Sequence, residues 1–363
     1  MPGVVNMEFL MGETLRAGVI GLTGIGQRPM APGASSGWGM AMPHSHVSAY
    51  DYVADTELVA VCDLSEDAIA NYRSDWDGTL PEVNVYTSHK ELLEKENLDI
   101  ISVVTGDNVH AQITVDAVDA GVKGVLCEKP IASSLADADR MIKAVEAAGV
   151  PLVVDHSRRW MFPWVQAAQL VEEGAIGEVV RVVANQGGPR AMLFRNGTHM
   201  CDTINWFAQG NPTAVYGINE KGFEGYGPRY ASDGGHDPDT DPAVSILIEY
   251  DNDVRAFWNQ CKTMPGVFQV DAYGTEGYIQ VSQERATITT GSKKNLVTRD
   301  IPHAQHTQGH IAGAVTELVD LVRHGGTPTC GPKEARQVME VLLGALHSQD
   351  AGNTRVQFPI QDA

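Results

Sequence analysis

Short apolar runs alternating with helical patterns fill residues 1–155, and no other feature of the chain restricts its fold as much. Runs at residues 17–20, 58–62, 99–104, 125–126 and 151–154 read as buried strands. Between them lie a helix from His110 carrying Ile113, Ala117 and Val118 and stopping at Gly121, and a helix from Ser134 ending at Gly149. A shorter helix is expected near residues 89–96, after a strand at 85–86. Ser134 with Asp137 resembles a capping box, and the closing glycines are usual helix stops. Strands alternating with helices imply a parallel, doubly wound sheet with right-handed crossovers.

The first strand runs into Gly21-Leu22-Thr23-Gly24-Ile25-Gly26. A strand followed by a glycine-rich turn is the setting in which a backbone approaches a pyrophosphate. Taken alone the motif equally fits a plain tight turn, because Thr23 replaces the middle glycine. The second strand ends at Asp63, placed to accept both hydroxyls of an adenosine ribose; its charge would repel a 2′-phosphate, which favours NAD over NADP. Gly26 and Asp63 are 37 residues apart, against roughly 20 expected. Counting from Pro43, a residue tolerated at the first position of a helix, restores the spacing. Residues 27–42 therefore read as an insertion, rich in glycine and proline and expected to cover the cofactor or the substrate mouth.

Lys129 follows the run at 125–126, in Cys127-Glu128-Lys129-Pro130. The carboxyl end of a buried parallel strand is where open α/β sheets bind ligands. A lysine desolvated there loses basicity and can exchange a proton with a bound hydroxyl or carbonyl.

After Arg159 the alternation stops. One helix is expected at 164–173. Mostly extended segments follow at 178–184, 214–218, 244–250, 254–259, 268–273, 278–281 and 286–290, and helices at 310–323 and 332–349 close the chain. This is a mainly antiparallel sheet, one face of which is expected to be covered by another subunit. Two domains follow: a nucleotide-binding domain over 1–155, and a substrate-binding and oligomerisation domain over 156–363. Within the second, a helix starting near Thr198 puts His199 and Asp202 three residues apart on one face. Histidine is the usual acid or base near neutral pH, and a carboxylate can orient it.

Composition narrows the partners. With 26 Lys+Arg against 46 Asp+Glu the net charge is −20, which opposes binding to nucleic acid or to an anionic membrane. Five cysteines form no disulfide framework, no basic leader is apparent and no apolar run reaches membrane-spanning length. A reduced, cytoplasmic setting is expected. His303, His306 and His310 have helical spacing, but Pro302 and Gly309 interrupt it, and no metal site is assigned there. His44 and His46 read as a helix start. The Asp-rich stretch 233–241 lacks calcium-loop spacing; His236 within it is a candidate to reach substrate.

The glycine turn at 21–26, Thr105 through His110, Glu128-Lys129-Pro130, Arg158-Arg159 and Gly197-Thr198-His199 with Asp202 appear in the order found in the Gfo/Idh/MocA oxidoreductases, which this chain resembles over nearly its whole length. Gly274 through Gly277 and the closing residues 356–359 are similar to that family as well. The resemblance implies a Rossmann domain joined to an α/β domain with a large open sheet. It also implies NAD(P)-linked oxidation of a sugar, polyol, inositol or sugar acid; the open sheet of the second domain, independently, predicts a homodimer or homotetramer. By position Lys129 matches the catalytic lysine and His199 the acid/base or substrate-binding histidine. Thr105, Asn108, His110 and Glu128 fall among the expected cofactor contacts, and Arg159, Thr198 and Asp202 around the substrate. Arg195 stands where many relatives carry an aspartate, and a guanidinium there either clamps an acid group or pairs with a nearby Asp. Two rival functions are a tightly held NAD used for transient oxidation, with net glycoside cleavage or epimerisation, and a dinucleotide-binding sensor.

Overall fold

The computed structural model describes residues 13–29, 43–231, 237–283, 285–292, 294–302 and 309–360. The first half forms a six-stranded, wholly parallel sheet from β1 (Leu15–Ile20), β2 (Thr56–Cys62), β3 (Asn84–Tyr86), β4 (Ile100–Val103), β5 (Gly124–Cys127) and β6 (Leu152–Val154). Its order is 3-2-1-4-5-6, the arrangement expected of a doubly wound dinucleotide fold. β4 and β5 are buried along their whole length, as strands covered by helices on both faces must be. The connecting helices are α1 (His46–Tyr52), α2 (Glu66–Trp76), α3 (His89–Lys95), α4 (His110–Asp119) and α5 (Leu135–Ala148). The cap expected on α5 is present: Ser134 accepts the Asp137 amide, and Gly149 closes the helix in the left-handed region.

The spacing anomaly before α1 has a structural origin that differs from the expected one. Pro43 does not open the helix. Ser45 caps it, exchanging side-chain and backbone hydrogen bonds with Ser48. The amides of His46 and Val47 then bond to the carbonyls of Ile25 and Gly26, both at 3.0 Å. The inserted chain therefore leaves and rejoins the fold at neighbouring points, and the helix continues from the glycine turn as if the insertion were not there. Residues 30–42, and with them the expected cover over the site, lie outside the described residues.

A nine-stranded sheet follows the short turn at Ser157–Trp160 and α6 (Phe162–Glu172). It holds β7 (Val179–Gly187), β8 (Pro212–Asn219), β9 (Val244–Tyr250), β10 (Arg255–Cys261), β11 (Val267–Gly274), β12 (Gly277–Ser282), β13 (Ala286–Ser292), β14 (Asn295–Asp300) and β15 (Val356–Gln357), in the order 14-13-12-11-7-10-9-8-15. All neighbours are antiparallel except β7 and β10. One face packs on α7 (Gly197–Ala208) and α9 (Pro332–Asp350). Across the other, Val183, Phe257, Leu247 and Tyr216 stand in register on four adjacent strands. Phe257 there is 46% exposed and Ile218 57%.

The last part of the chain returns to the first sheet. α8 (His310–His324) packs on β5 and α1. It approaches so closely that a Cβ on Gly124 would stand 2.7 Å from Val322 and 2.9 Å from Leu318. No helix among the described residues is long and apolar enough to cross a membrane. Gly124→Val should overpack this contact and lower stability by about 2 kcal/mol, read as a shifted urea midpoint with unchanged slope.

Candidate active site

A cavity of about 450 Å³ opens at the carboxyl ends of β1, β2 and β4, where the strand order reverses and such sheets bind ligands. Gly21, Thr23, Asp63, Thr105 and Asn108 line it. Gly21 has φ +102°, and a Cβ there would meet the Val104 carbonyl at 2.4 Å, so no side chain fits. Gly24, Ile25 and Gly26 build the turn without lining the cavity. The Asp63 carboxylate accepts the Leu22 amide at 2.7 Å and the Ser65 amide at 2.8 Å, one on each oxygen, which keeps further lone pairs for a ligand. His110 is a brace, not a lining residue: its ring nitrogens face the carbonyls of Pro130 and Thr105 at 3.0 Å. The shape, the glycine turn and the acid suit the adenosine half of a dinucleotide.

Lys129 leaves β5 on a cis peptide to Pro130, and its ammonium donates to the Arg195 carbonyl at 2.8 Å. Desolvation lowers its pKa to about 8, with Arg195 and Arg190 adding to the fall and Glu128 and Asp155 opposing it. Behind it runs a buried chain of hydrogen bonds: Tyr50 to Ser102 at 2.9 Å, Ser102 to His46 at 2.9 Å, and His46 to Glu128 at 3.1 Å. The other Glu128 oxygen accepts the Lys129 amide at 3.2 Å. Burial opposes the charge of Glu128, yet His46 and Lys129 hold its pKa at about 2. Asp155, at the end of β6, is driven the other way: burial and the Glu128 charge push it well above the usual carboxylate range. Glu128 is thus the ionised partner and Asp155 the proton-bearing one, and Glu128 faces the interior instead of the cofactor cavity.

His199 lies near the start of α7, where its ring meets that of His156 edge-on at 5.9 Å. Burial, then the charges of Arg158 and Lys129, hold it well below its ordinary pKa, so the imidazole is neutral at neutral pH. Burial likewise takes His156 to about 4, and its Nδ1 is fixed by the Cys330 thiol at 3.3 Å. His156 and Asp155 escaped the sequence reading. The signal was available, since both stand at the carboxyl end of the strand that closes the sheet, the position that singled out Lys129.

Asp202 does not orient His199. Both its oxygens receive the Arg159 guanidinium at 2.9 Å, in a pair buried beneath the site. Asp202 and Arg159, both expected at the substrate, are paired with each other and so join α7 to the turn at Ser157–Trp160. Thr198 is buried just before His199. Arg195 meets Lys129 through its backbone, and Asp241 holds the loop by accepting the amides of Phe194 at 2.9 Å and Arg195 at 3.0 Å. His236, His303 and His306 lie outside the described residues, whereas His310 sets its ring against His44 at 5.4 Å. Among the described residues, His46, Glu128 and Asp155, and separately His156, Asp202 and Cys330, bring possible metal ligands within 4.8 Å of one another. In both sets these same hydrogen bonds and ion pairs already engage donor atoms.

Sheet order, glycine turn and cavity together define a dinucleotide-binding fold. Residues 15–156 match the model of an oxidoreductase family with an NAD-binding Rossmann fold, and residues 164–280 match the GFO/IDH/MocA C-terminal domain. The chain belongs to the Gfo/Idh/MocA oxidoreductase family. Over 177 residues it is 29% identical to myo-inositol 2-dehydrogenase of Thermotoga maritima, a match covering 48% of this chain and 46% of that enzyme, so it spans about half of that relative. Among solved structures, aldose-aldose oxidoreductase of Caulobacter crescentus, complexed with glycerol, superposes with TM-score 0.75 at 18% identity over 95% of this chain and all of the other. The WlbA dehydrogenase of Bordetella pertussis, in complex with NADH and UDP-GlcNAcA, gives 0.71 at 18% identity over 96% and 100%.

Breaking the clamp should be costly. Asp202→Ala strands a buried guanidinium and should lower stability by about 3–5 kcal/mol, whereas replacing both Arg159 and Asp202 by apolar residues should restore most of the loss. Denaturant titration of the single and double variants measures this.

Proposed function

We propose that the protein is an NAD-dependent dehydrogenase that oxidises a hydroxyl of a sugar, polyol or sugar-acid substrate, with Lys129 as the proton acceptor. The observation that carries this reading is a desolvated lysine with a pKa of about 8, at the end of the strand beside the dinucleotide cavity. Bound NAD supplies the hydride acceptor. Neutral Lys129 takes the hydroxyl proton while keeping its hydrogen bond to the Arg195 carbonyl, and ionised Glu128 stabilises the ammonium that forms. His199, neutral throughout, orients the hydroxyl by hydrogen bonding. Inositol and aldose enzymes among the relatives support a polyhydroxylated substrate, and Asp63 supports NAD over NADP because a 2′-phosphate would meet its charge.

A panel of sugars, inositols and sugar acids with each nicotinamide cofactor tests the reading. NADH should accumulate in step with oxidised product, with kcat/KM for NAD about tenfold or more above that for NADP. Glycoside cleavage without NADH accumulation would favour transient oxidation instead. Because the neutral amine is the active form, kcat/KM should climb about tenfold per pH unit below about 8 and level off above it. Lys129→Met should abolish turnover and leave NADH binding intact; a variant with most of its activity would exclude the assignment.

We further propose that the apolar line Val183–Phe257–Leu247–Tyr216 is the contact surface of a homo-oligomer. Phe257→Lys should convert the assembly to monomers in analytical ultracentrifugation; a wild-type monomer at micromolar concentration would contradict this.

A further inference from the structure

Arg158 and Arg159 are adjacent in one short turn and have opposite fates. Arg159 takes the carboxylate of Asp202 in the bidentate pair. Arg158 has no acid within bonding reach among the described residues. Its guanidinium stacks over the Phe268 ring at 4.2 Å, and its Nε is buried without a hydrogen-bond partner. A cation–π contact is worth about 0.5–2 kcal/mol and neutralises no charge, so the half-buried guanidinium keeps its capacity to bind an anion. The structure therefore keeps a cation poorly compensated at a defined place.

That place is a second cavity of about 480 Å³, walled by β7, β11 and the loop before α7. Arg158 and Arg190 line it, with Gln186, Asn196, Gln269 and Gln283, and no described carboxylate does. In a chain of net charge −20 such a concentration of positive charge is selective. The cavity adjoins the catalytic groups: Asn196 follows the Arg195 that accepts the Lys129 hydrogen bond, and Arg158 is the charge that His199 feels most strongly. The amides that complete the wall can both donate to and accept from hydroxyls.

Resting on the dehydrogenase reading above, we propose that this cavity is an oxyanion subsite: Arg158 and Arg190 bind a carboxylate or phosphate carried by a polyhydroxylated substrate and so orient the carbon to be oxidised. Guanidinium groups match either oxyanion bidentately. The subsite selects acidic substrates over their neutral counterparts, since a neutral ligand leaves Arg158 uncompensated.

The test uses D-glucuronate and D-glucose 6-phosphate against D-glucose and myo-inositol, in turnover with NAD and in calorimetric binding to the NADH-bound protein. Arg158→Gln and, independently, the exposed Arg190→Gln should each weaken calorimetric binding of the preferred anion about tenfold or more, and weaken binding of myo-inositol less than about threefold. Wild-type affinity for the anion should also fall as salt rises. Carboxylate or phosphate preference identifies the group, and either supports the subsite. Turnover confined to neutral sugars, or anion binding indifferent to both substitutions, overturns the subsite and leaves the dehydrogenase standing. Arginine-dependent anion binding without any NADH formation upholds the subsite and removes the redox reading. The Arg190 side chain is exposed, so its variant decides the matter even where Arg158→Gln unfolds.

Discussion

The ionised carboxylate of Glu128, buried within its domain, is the interaction on which the rest of this site depends. Burial alone would protonate it. It stays charged because His46 and the Lys129 amide bond to its two oxygens, and that charge has three effects. It forces the proton of the neighbouring carboxyl pair onto Asp155. It keeps Lys129 from losing its basicity altogether, opposing a desolvation that would otherwise dominate. It also joins α1 and β4 to the end of β5 through His46, Ser102 and Tyr50, so the lysine is anchored from behind.

The second half of the molecule completes the electrostatics from the opposite side. The loop held by Asp241 presents a backbone carbonyl, not a carboxylate, to Lys129. A carbonyl orients the amine without stabilising its charged form as an anion would, so more of the lysine is neutral near physiological pH. The arginines around it push the same way.

Much of the fold was legible because burial imposes period and punctuation. The six parallel strands, the Ser134 cap, the Gly149 stop and most strands of the second sheet followed from apolar runs and turn residues. The exceptions have physical reasons. β14 is exposed at every residue and so carries no apolar alternation. α2 buries only Ala68, Tyr72 and Trp76, too sparse a face to stand out. In the site, Lys129, His199 and Asp63 were recoverable from their places at strand and helix ends. The Asp202–Arg159 pair and the His46–Glu128 bond were not, because ion pairing between residues 43 and 82 positions apart leaves no local pattern.

The way the glycine turn meets α1 has a bearing on how such a chain can change. Ile25 and Gly26 stand one hydrogen bond from His46 and Val47, so the intervening stretch begins and ends at a single point on the scaffold. Chain placed there adds length without moving the helix, and a closed loop costs only slowly more entropy as it lengthens. The junction is in effect a socket beside the glycine turn, where segments of different length and chemistry can be exchanged while the strand and helix beneath keep their places.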